Sequence, residues 1–150
     1  MTTLIALALA LIVAAPAVAR AESTPYQSNR GPVQTPAEEE YAKGMRAKKA
    51  KEWSVAGASF KKATELKPDF PEAWNELGYA LRNMGNYPES VKAYDEALRL
   101  KPRFPEALEY LGEAYVKMGQ VEEARKVLER LKPMDRKRAQ ELSDEIAKAK

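Results

Sequence analysis

A period of 34 residues constrains this 150-residue chain more than any other feature of its sequence. Glycine recurs at that spacing, and so do two positions with mostly apolar or aromatic side chains and a proline. The repeated positions are Gly44, Gly78 and Gly112; Phe60, Tyr94 and Leu128; Ala63, Ala97 and Leu131; and Pro68 and Pro102. A fixed period of this length predicts a stack of helix pairs, because each unit can bury its apolar face only against its neighbours.

The stretch from Pro71 to Pro102 carries the fullest copy of the pattern. Its signature positions are Trp74-x-x-Leu77-Gly78, followed by Tyr94 and Ala97. This unit resembles the tetratricopeptide (TPR) repeat. The resemblance implies an all-α fold, a right-handed α-solenoid of three TPR helix pairs at residues 37–70, 71–104 and 105–133. A C-terminal capping helix over residues 134–150 is expected to close it.

Prolines and glycines predict where the helices begin and end. The first helix is expected to open at Thr35 or Pro36, and the others to span residues 53–66, 71–84, 87–100, 105–118 and 121–131. Within each pair, the repeated glycines are expected to let the first helix approach the second, so that Gly78→Leu would break the second pair. Large side chains are expected to fill the space between units: Trp74, Leu77, Leu81, Tyr94 and Leu98.

The two ends of the array depart from the repeat pattern. Glu40 and Lys43 stand where Trp74 and Leu77 stand one unit later, which predicts that this end of the first repeat meets water. At the other end, Asp135 is expected to cap a last helix. That helix has one apolar stripe, made by Ala139, Leu142, Ile146 and Ala149, and an outward face made by Arg136, Lys137, Arg138, Glu141, Asp144 and Lys148. The alternative is that the stripe binds a partner or a second copy of the chain.

The segment before the repeats predicts export. An apolar run from Leu4 to Ala15 is followed by small residues at A-x-A spacing, as in a secretory signal peptide over residues 1–21, cut after Ala19 or Ala21. An uncleaved anchor is the alternative, but residues 4–19 are fewer than the roughly 20 that span a bilayer. We therefore expect no stable membrane anchor after cleavage, and a periplasmic or secreted bacterial protein. Residues 22–36 contain three prolines and few aliphatic residues, which favours a disordered linker.

Composition disfavours an enzyme. The chain has no cysteine and no histidine, so most transition-metal sites and general bases lack their usual residues. Its net charge of only +3 disfavours a dedicated nucleic-acid surface. Ser59-x-x-Lys62 matches a serine-nucleophile motif, but no companion motif occurs and the match falls inside a predicted repeat helix. No cofactor and no metal are expected.

The TPR resemblance implies a concave groove lined by the first helix of each pair. The second, fifth, ninth, twelfth and thirteenth residues of each repeat would face it. These are Glu38, Tyr41, Met45, Lys48 and Lys49; Glu72, Asn75, Tyr79, Arg82 and Asn83; and Glu106, Glu109, Glu113, Val116 and Lys117. Two tyrosines, two amides, a methionine and charges of both signs suit a peptide or protein ligand.

The charges of this groove allow more than one interpretation. Glutamates lie towards the helix starts and basic residues towards the ends, which indicates either a polarised groove or simple complementation of each helix dipole. Glu106, Glu109 and Glu113 share one helical face and would attract a basic partner or a hard cation, although a solvated face is the default. Many cytosolic TPR domains grip a C-terminal carboxylate with Lys, Asn and Arg. The matching positions here hold Tyr41, Met45, Glu76, Glu106 and Tyr110, so this clamp is missing, which agrees with export and removes that ligand class.

The sequence therefore predicts a non-catalytic interaction module that binds a peptide or protein segment in its groove, as an adaptor or scaffold in the bacterial envelope. One alternative is a homo-oligomeric structural scaffold that stacks through the capping helix or through the exposed end of the first repeat. Another is a module for an envelope polymer such as a carbohydrate, with Tyr41 and Tyr79 as platforms.

Overall fold

The structure is a computed structural model that describes residues 34–149, and this region is folded into seven α-helices packed in consecutive pairs. The helices are α1 Pro36–Lys49, α2 Trp53–Leu66, α3 Pro71–Asn83, α4 Tyr87–Leu100, α5 Pro105–Lys117, α6 Val121–Leu131 and α7 Arg136–Lys148. No strand occurs in this part of the chain. The predicted all-α fold is confirmed, while the expected signal peptide and the linker before residue 34 lie outside the described residues.

The start of α1 is fixed by a local exchange of hydrogen bonds. The Thr35 hydroxyl accepts a hydrogen bond from the Glu38 backbone N–H at 3.3 Å, and the Glu38 carboxylate accepts one from the Thr35 N–H at 2.8 Å. This capping box satisfies two donors that a helix start would otherwise leave unpaired. Pro36 therefore belongs to α1 rather than to the preceding linker.

The turn inside each repeat uses one residue with a left-handed backbone. Gly85 has φ +81° and Gly119 has φ +72°, and Lys51 takes φ 59° at the same place in the first repeat. The three positions lie 34 residues apart. Glycine adopts this conformation without penalty, whereas the Cβ of lysine crowds the backbone there.

Two glycines permit close contact between the helices of a pair, as the sequence predicts. A Cβ atom added at Gly44 would lie 2.5 Å from Cε1 of Phe60, and one added at Gly78 would lie 2.6 Å from Cε1 of Tyr94. Both rings are fully buried. The absence of a side chain at these glycines therefore leaves the space that each ring fills.

At the third glycine, the closest partner lies outside the paired helix. At Gly112 the three nearest side-chain atoms belong to Leu142 of α7, the closest at 2.5 Å from an added Cβ, and not to Leu128 of the paired helix. Leucine at position 128 is shorter than the rings at the two equivalent positions. The last helix supplies the missing bulk, and its stripe of Ala139, Leu142 and Ile146 is buried against α5 and α6.

The core consists of two clusters of buried side chains. The larger one joins the second and third repeats to α7, and the smaller one joins the first two repeats through residues such as Phe60 and Leu77. Trp74 packs against both clusters, and its indole N–H donates a hydrogen bond to the Pro68 carbonyl at 2.9 Å. Stability thus accumulates between neighbouring units rather than within one.

The first repeat ends the array with charged side chains. Glu40 forms an ion pair with Lys62 at 2.9 Å, and the side chain of Lys43 is more than half exposed.

Within residues 34–149, no helix has the length and apolar character needed to cross a membrane.

The first helices of the repeats converge on one side of the molecule. Helix α3 packs against α5 and α5 against α7, and Lys48 of α1 contacts Glu76 of α3, whereas α2, α4 and α6 form no comparable packing with one another among the described residues. The side where helices converge is the inner side of a curved stack. We call the inner face formed by α1, α3, α5 and α7 the groove.

Candidate peptide-binding groove

The structure sorts the predicted groove residues by accessibility. Four side chains are exposed: Met45, Lys49, Asn83 and Lys117. The others on these helices are partly exposed: Glu38, Tyr41, Lys48, Glu72, Tyr79, Arg82, Glu106, Glu113 and Val116. Asn75 and Glu109 are almost inaccessible, with exposed fractions of 1% and 4%. A ligand in the groove would therefore meet the first two sets before it could reach the last two.

Tyr79 is the centre of an aromatic cluster in the groove. Its ring centroid lies 5.8 Å from that of Trp53 and 5.1 Å from that of Tyr110. Two cations also lie against it, with Lys48 Nζ at 4.4 Å and Arg82 Cζ at 5.2 Å from the ring centroid. Such cation–π contacts are favourable because the negative face of the ring attracts the positive charge.

Three ion pairs join successive helices across the groove. Lys48 of α1 donates to Glu76 of α3 at 2.6 Å. Arg82 of α3 pairs with Glu113 of α5, and Arg138 of α7 pairs with Glu109 of α5. Each contact is charge-assisted and links residues about one repeat apart in the sequence, so it couples neighbouring units.

These pairs correct two expectations from the sequence. Glu109 and Glu113 do not form a solvated face, because each is engaged by an arginine of another helix. Arg138 does not simply face outward either, since its guanidinium turns back onto α5. The sorted charges of the groove therefore complement one another between helices, in addition to any effect on the dipole of their own helix.

Burial sets the ionisation behaviour of the groove. It raises the pKa of Glu76 despite the hydrogen bond from Lys48, and it raises the pKa of Glu109 despite Arg138. Burial also raises the pKa of Tyr41 and of Tyr110 to about 12 in each case. The carboxylates are held in an environment that disfavours charge, and the phenols remain neutral donors at physiological pH.

Several other predicted groove residues are used within the protein. Glu38 serves the capping box of α1, and Glu72 pairs with Lys101 at 3.0 Å. The Asn83 amide donates to the Tyr79 backbone carbonyl at 2.8 Å. These contacts restrict the side chains but leave their outer surfaces available.

The sequence analysis did not predict that Arg138 pairs with a groove residue, although its position in the 34-residue period indicates a contact there. Tyr41 packs on Phe70 with ring centroids 4.9 Å apart. Two repeats later, the same two positions hold Glu109 and Arg138. The aromatic contact between units is thus replaced by an ion pair where the array meets its capping helix.

A hollow of about 450 Å³ lies on the groove side between α5 and α7. Its carboxylates are Glu109, Glu113, Glu141, Asp144 and Glu145, and its lysines are Lys117 and Lys148. Within the described residues, no group of three or more acidic side chains is arranged to hold a metal ion.

Three family models match overlapping parts of the chain. One described as TPR repeat matches residues 78–119, and two described as tetratricopeptide repeat match residues 59–92 and 107–140. Together they run from residue 59 to residue 140, which is more than half of the chain. The chain belongs to the tetratricopeptide repeat family. Comparison with curated protein sequences found no match.

Solved structures of TPR domains share the fold of this TPR protein. The TPR2B domain of yeast Sti1, in a complex with pHsp70, is 19% identical with a TM-score of 0.71 over 75% of this chain and 94% of that chain. The first TPR of Spaghetti (RPAP3), bound to the HSP90 peptide SRMEEVD, is 20% identical with a TM-score of 0.71 over 75% and 91%. The Yersinia enterocolitica chaperone SycD, with a peptide of YopD, is 15% identical with a TM-score of 0.69 over 75% and 90%.

Proposed function

We propose that this TPR protein is a non-catalytic interaction module that binds an extended segment of a partner protein in its groove. The observation that carries the proposal is the pair of partly exposed aromatic residues Tyr79 and Tyr110, on groove helices that also carry the exposed side chains of Met45 and Lys117. Rigid aromatic anchors beside adaptable polar groups suit a peptide ligand. Complexes of similar folds with peptides give further support.

The proposed setting is the bacterial envelope, where the protein would act as an adaptor or scaffold. The apolar run from Leu4 to Ala15 and the small residues that follow support export. Mass measurement of the protein recovered from the envelope fraction of a bacterium that expresses the full chain tests this part. We expect a mass that lacks residues 1–19 or 1–21, and an intact chain confined to the cytoplasm would contradict export.

Site-specific photo-crosslinking tests the groove. A benzophenone amino acid replaces Met45 or Lys117, two exposed groove side chains whose removal leaves the aromatic cluster in place. In envelope extract we expect both positions to crosslink to the same partner, because both line one continuous surface. The crosslinked peptide of the partner would identify the bound segment.

A matched control uses the opposite surface. Glu89 and Lys92 are exposed on α4, a second helix of a pair, and accept the same amino acid without loss of packing. They should give no crosslink to that partner. Equal crosslinking from α4 and from the groove would show that the protein does not use the groove, and the proposal would then be wrong.

A further inference from the structure

The two cations at the centre of the groove are already neutralised by the protein itself. Lys48 is held by Glu76, and Arg82 by Glu113. Glu76 is only 6% exposed, so a ligand carboxylate that displaced it from Lys48 would leave a buried, unpaired negative charge. Leaving such a charge uncompensated is strongly unfavourable. An acidic segment is therefore disfavoured at these positions.

A free carboxylate lies among the groove helices. Glu106 of α5 is partly exposed and forms no ion pair with any residue of 34–149. Its negative charge adds to the effect of burial in raising the pKa of Tyr41, Glu76 and Tyr110, which lie on all three first helices. A cation in the groove would meet this charge together with neutral tyrosine rings.

The hollow between α5 and α7 shows how this surface already binds basic side chains. Four of its five carboxylates form ion pairs: Glu109 with Arg138, Glu113 with Arg82, Glu141 with Lys137 and Glu145 with Lys148. Arg138 shows what this surface accepts, because its guanidinium is seated on the nearly inaccessible Glu109. Arg138 of the protein itself thus makes the kind of contact that a basic side chain of a partner would make.

We propose that Glu76 and Glu113 determine the charge of the segment bound at the groove centre: by neutralising Lys48 and Arg82 they exclude acidic side chains there, and the bound segment of a partner protein presents a lysine or arginine to Glu106. The inference rests on the proposed function of the groove and adds the chemical class of its partner. Complementary charge decides specificity, because a like-charge contact disfavours the wrong segment. Glu106 then provides the unpaired contact for one basic side chain.

Two short peptides test the preference directly. The acidic probe is SRMEEVD, and the basic probe is the analogue in which its three acidic residues are lysine. Each carries a fluorophore and is titrated with the full chain by fluorescence anisotropy at low and at physiological salt. We expect the basic probe to bind at least about tenfold more tightly than the acidic one, with the difference shrinking as salt rises.

Glutamine variants test the two named residues. In the double variant Glu76→Gln with Glu113→Gln, the two groove cations lose their carboxylates, and we expect affinity for SRMEEVD to rise by about tenfold. Glu106→Gln should instead weaken the basic probe. The matched control is Glu123→Gln with Glu129→Gln, which removes the same charge from α6, and it should leave both affinities unchanged. Far-UV circular dichroism verifies that each variant is folded.

The outcomes separate this inference from the proposed function. If the parent chain binds SRMEEVD as tightly as the basic probe, or binds neither probe, the charge preference is wrong, whatever the variants do. If SRMEEVD binds as tightly as the basic probe and crosslinks from Met45 but not from Lys92, the groove function stands and only the charge preference fails. If the control pair on α6 shifts the affinities as much as the groove pair, the preference comes from net charge and not from Glu76 and Glu113.

Discussion

Two glycines inside helices of this protein should respond in opposite ways to a methyl group. At Gly78, the added Cβ would lie 2.6 Å from the buried ring of Tyr94, which cannot move without disturbing the core. Overpacking of this kind costs about 1–3 kcal/mol, more than the 0.5–1 kcal/mol that alanine gains over glycine in a helix. We therefore expect Gly78→Ala to lower the free energy of unfolding by about 1–2 kcal/mol, measured by urea denaturation.

Gly57 of α2 is the matched control. Its added Cβ would meet the end of the flexible Met84 side chain at 3.2 Å, which can shift by a few tenths of an ångström. Gly57→Ala should be neutral or stabilise by up to about 1 kcal/mol through helix propensity. Similar losses at both glycines would show that the close approach to Tyr94 is not what requires Gly78.

Lys51 carries backbone strain that the other two repeats avoid. It has φ 59° where Gly85 and Gly119 stand in the later repeats. Glycine adopts this conformation freely but loses more entropy on folding, so Lys51→Gly should stabilise the protein by about 0.5–1 kcal/mol. Thermal unfolding measures the gain. The reverse change, Gly85→Ala, should destabilise, and an unchanged melting temperature in both variants would contradict the strain.

At the scale of single helices, local signals in the sequence were sufficient to predict where the helices begin and end. The predicted end of the third helix differs from the observed one by a single residue, because Gly85 follows directly and fixes the turn. Pro71 and Pro105 mark helix starts where a missing N–H costs nothing. These signals act over three or four residues, and the repeat presents them again at the same spacing, so the same one-residue difference recurs at the end of α5.

Contacts between helices were harder to predict. Glu109 and Arg138 are 29 residues apart, and their pairing depends on how α7 is rotated against α5. The same rotation brings Leu142 onto Gly112. Nothing local in the sequence fixes that angle, since an apolar stripe shows which face of α7 is buried but not where along α5 each residue will lie.

The ion pair between Glu109 of α5 and Arg138 of α7 gives the stability of the fold a defined pH dependence. Burial raises the pKa of Glu109, so the folded state binds a proton there more readily than the unfolded state. The contribution of this carboxyl is therefore fully present below its unfolded pKa and is lost as pH rises through the folded pKa. We expect Glu109→Gln, which has no charge to desolvate, to gain stability relative to the parent as pH rises from about 4 to about 7.

Chemical denaturation of both proteins across this pH range measures the difference. Arg138→Met provides the contrast, because it leaves Glu109 buried without its partner and should cost about 2 kcal/mol at neutral pH, an amount reduced by the partial exposure of Arg138. A difference between parent and Glu109→Gln that stays constant or shrinks as pH rises would contradict the predicted sign.

For the whole molecule, the sequence predicted which residues belong to the groove helices but not how exposed each of their side chains is. Asn75 and Glu109 occupy the fifth position of their repeats, as Tyr41 does, yet they are almost inaccessible while Tyr41 is partly exposed. Exposure depends on how closely the next helix packs, which changes along the array. The ion pairs of Lys48 and Arg82 likewise arise only when neighbouring repeats are stacked.

The unequal core predicts that the array unfolds from its N-terminal end. Within residues 34–149, the first repeat has a neighbour on one side only and shares the smaller cluster, whereas α7 covers the third repeat. In a stack, a unit with one neighbour has less stabilising interface. The two tryptophans report on this difference, since Trp53 lies in α2 of the first repeat and Trp74 contacts both clusters.

Single-tryptophan variants measure the order of unfolding in urea. In Trp74→Phe, the fluorescence of Trp53 should change at a lower urea concentration than the far-UV circular dichroism of the same protein, because helices of the later repeats persist after the first repeat opens. In Trp53→Phe, the fluorescence of Trp74 should follow the circular dichroism closely. Each variant is compared only with itself, so loss of packing at the substituted ring does not affect the result. Coincident transitions in both variants would indicate one cooperative unit, in which the contacts that Trp74 makes with both clusters are strong enough to prevent the first repeat from opening alone.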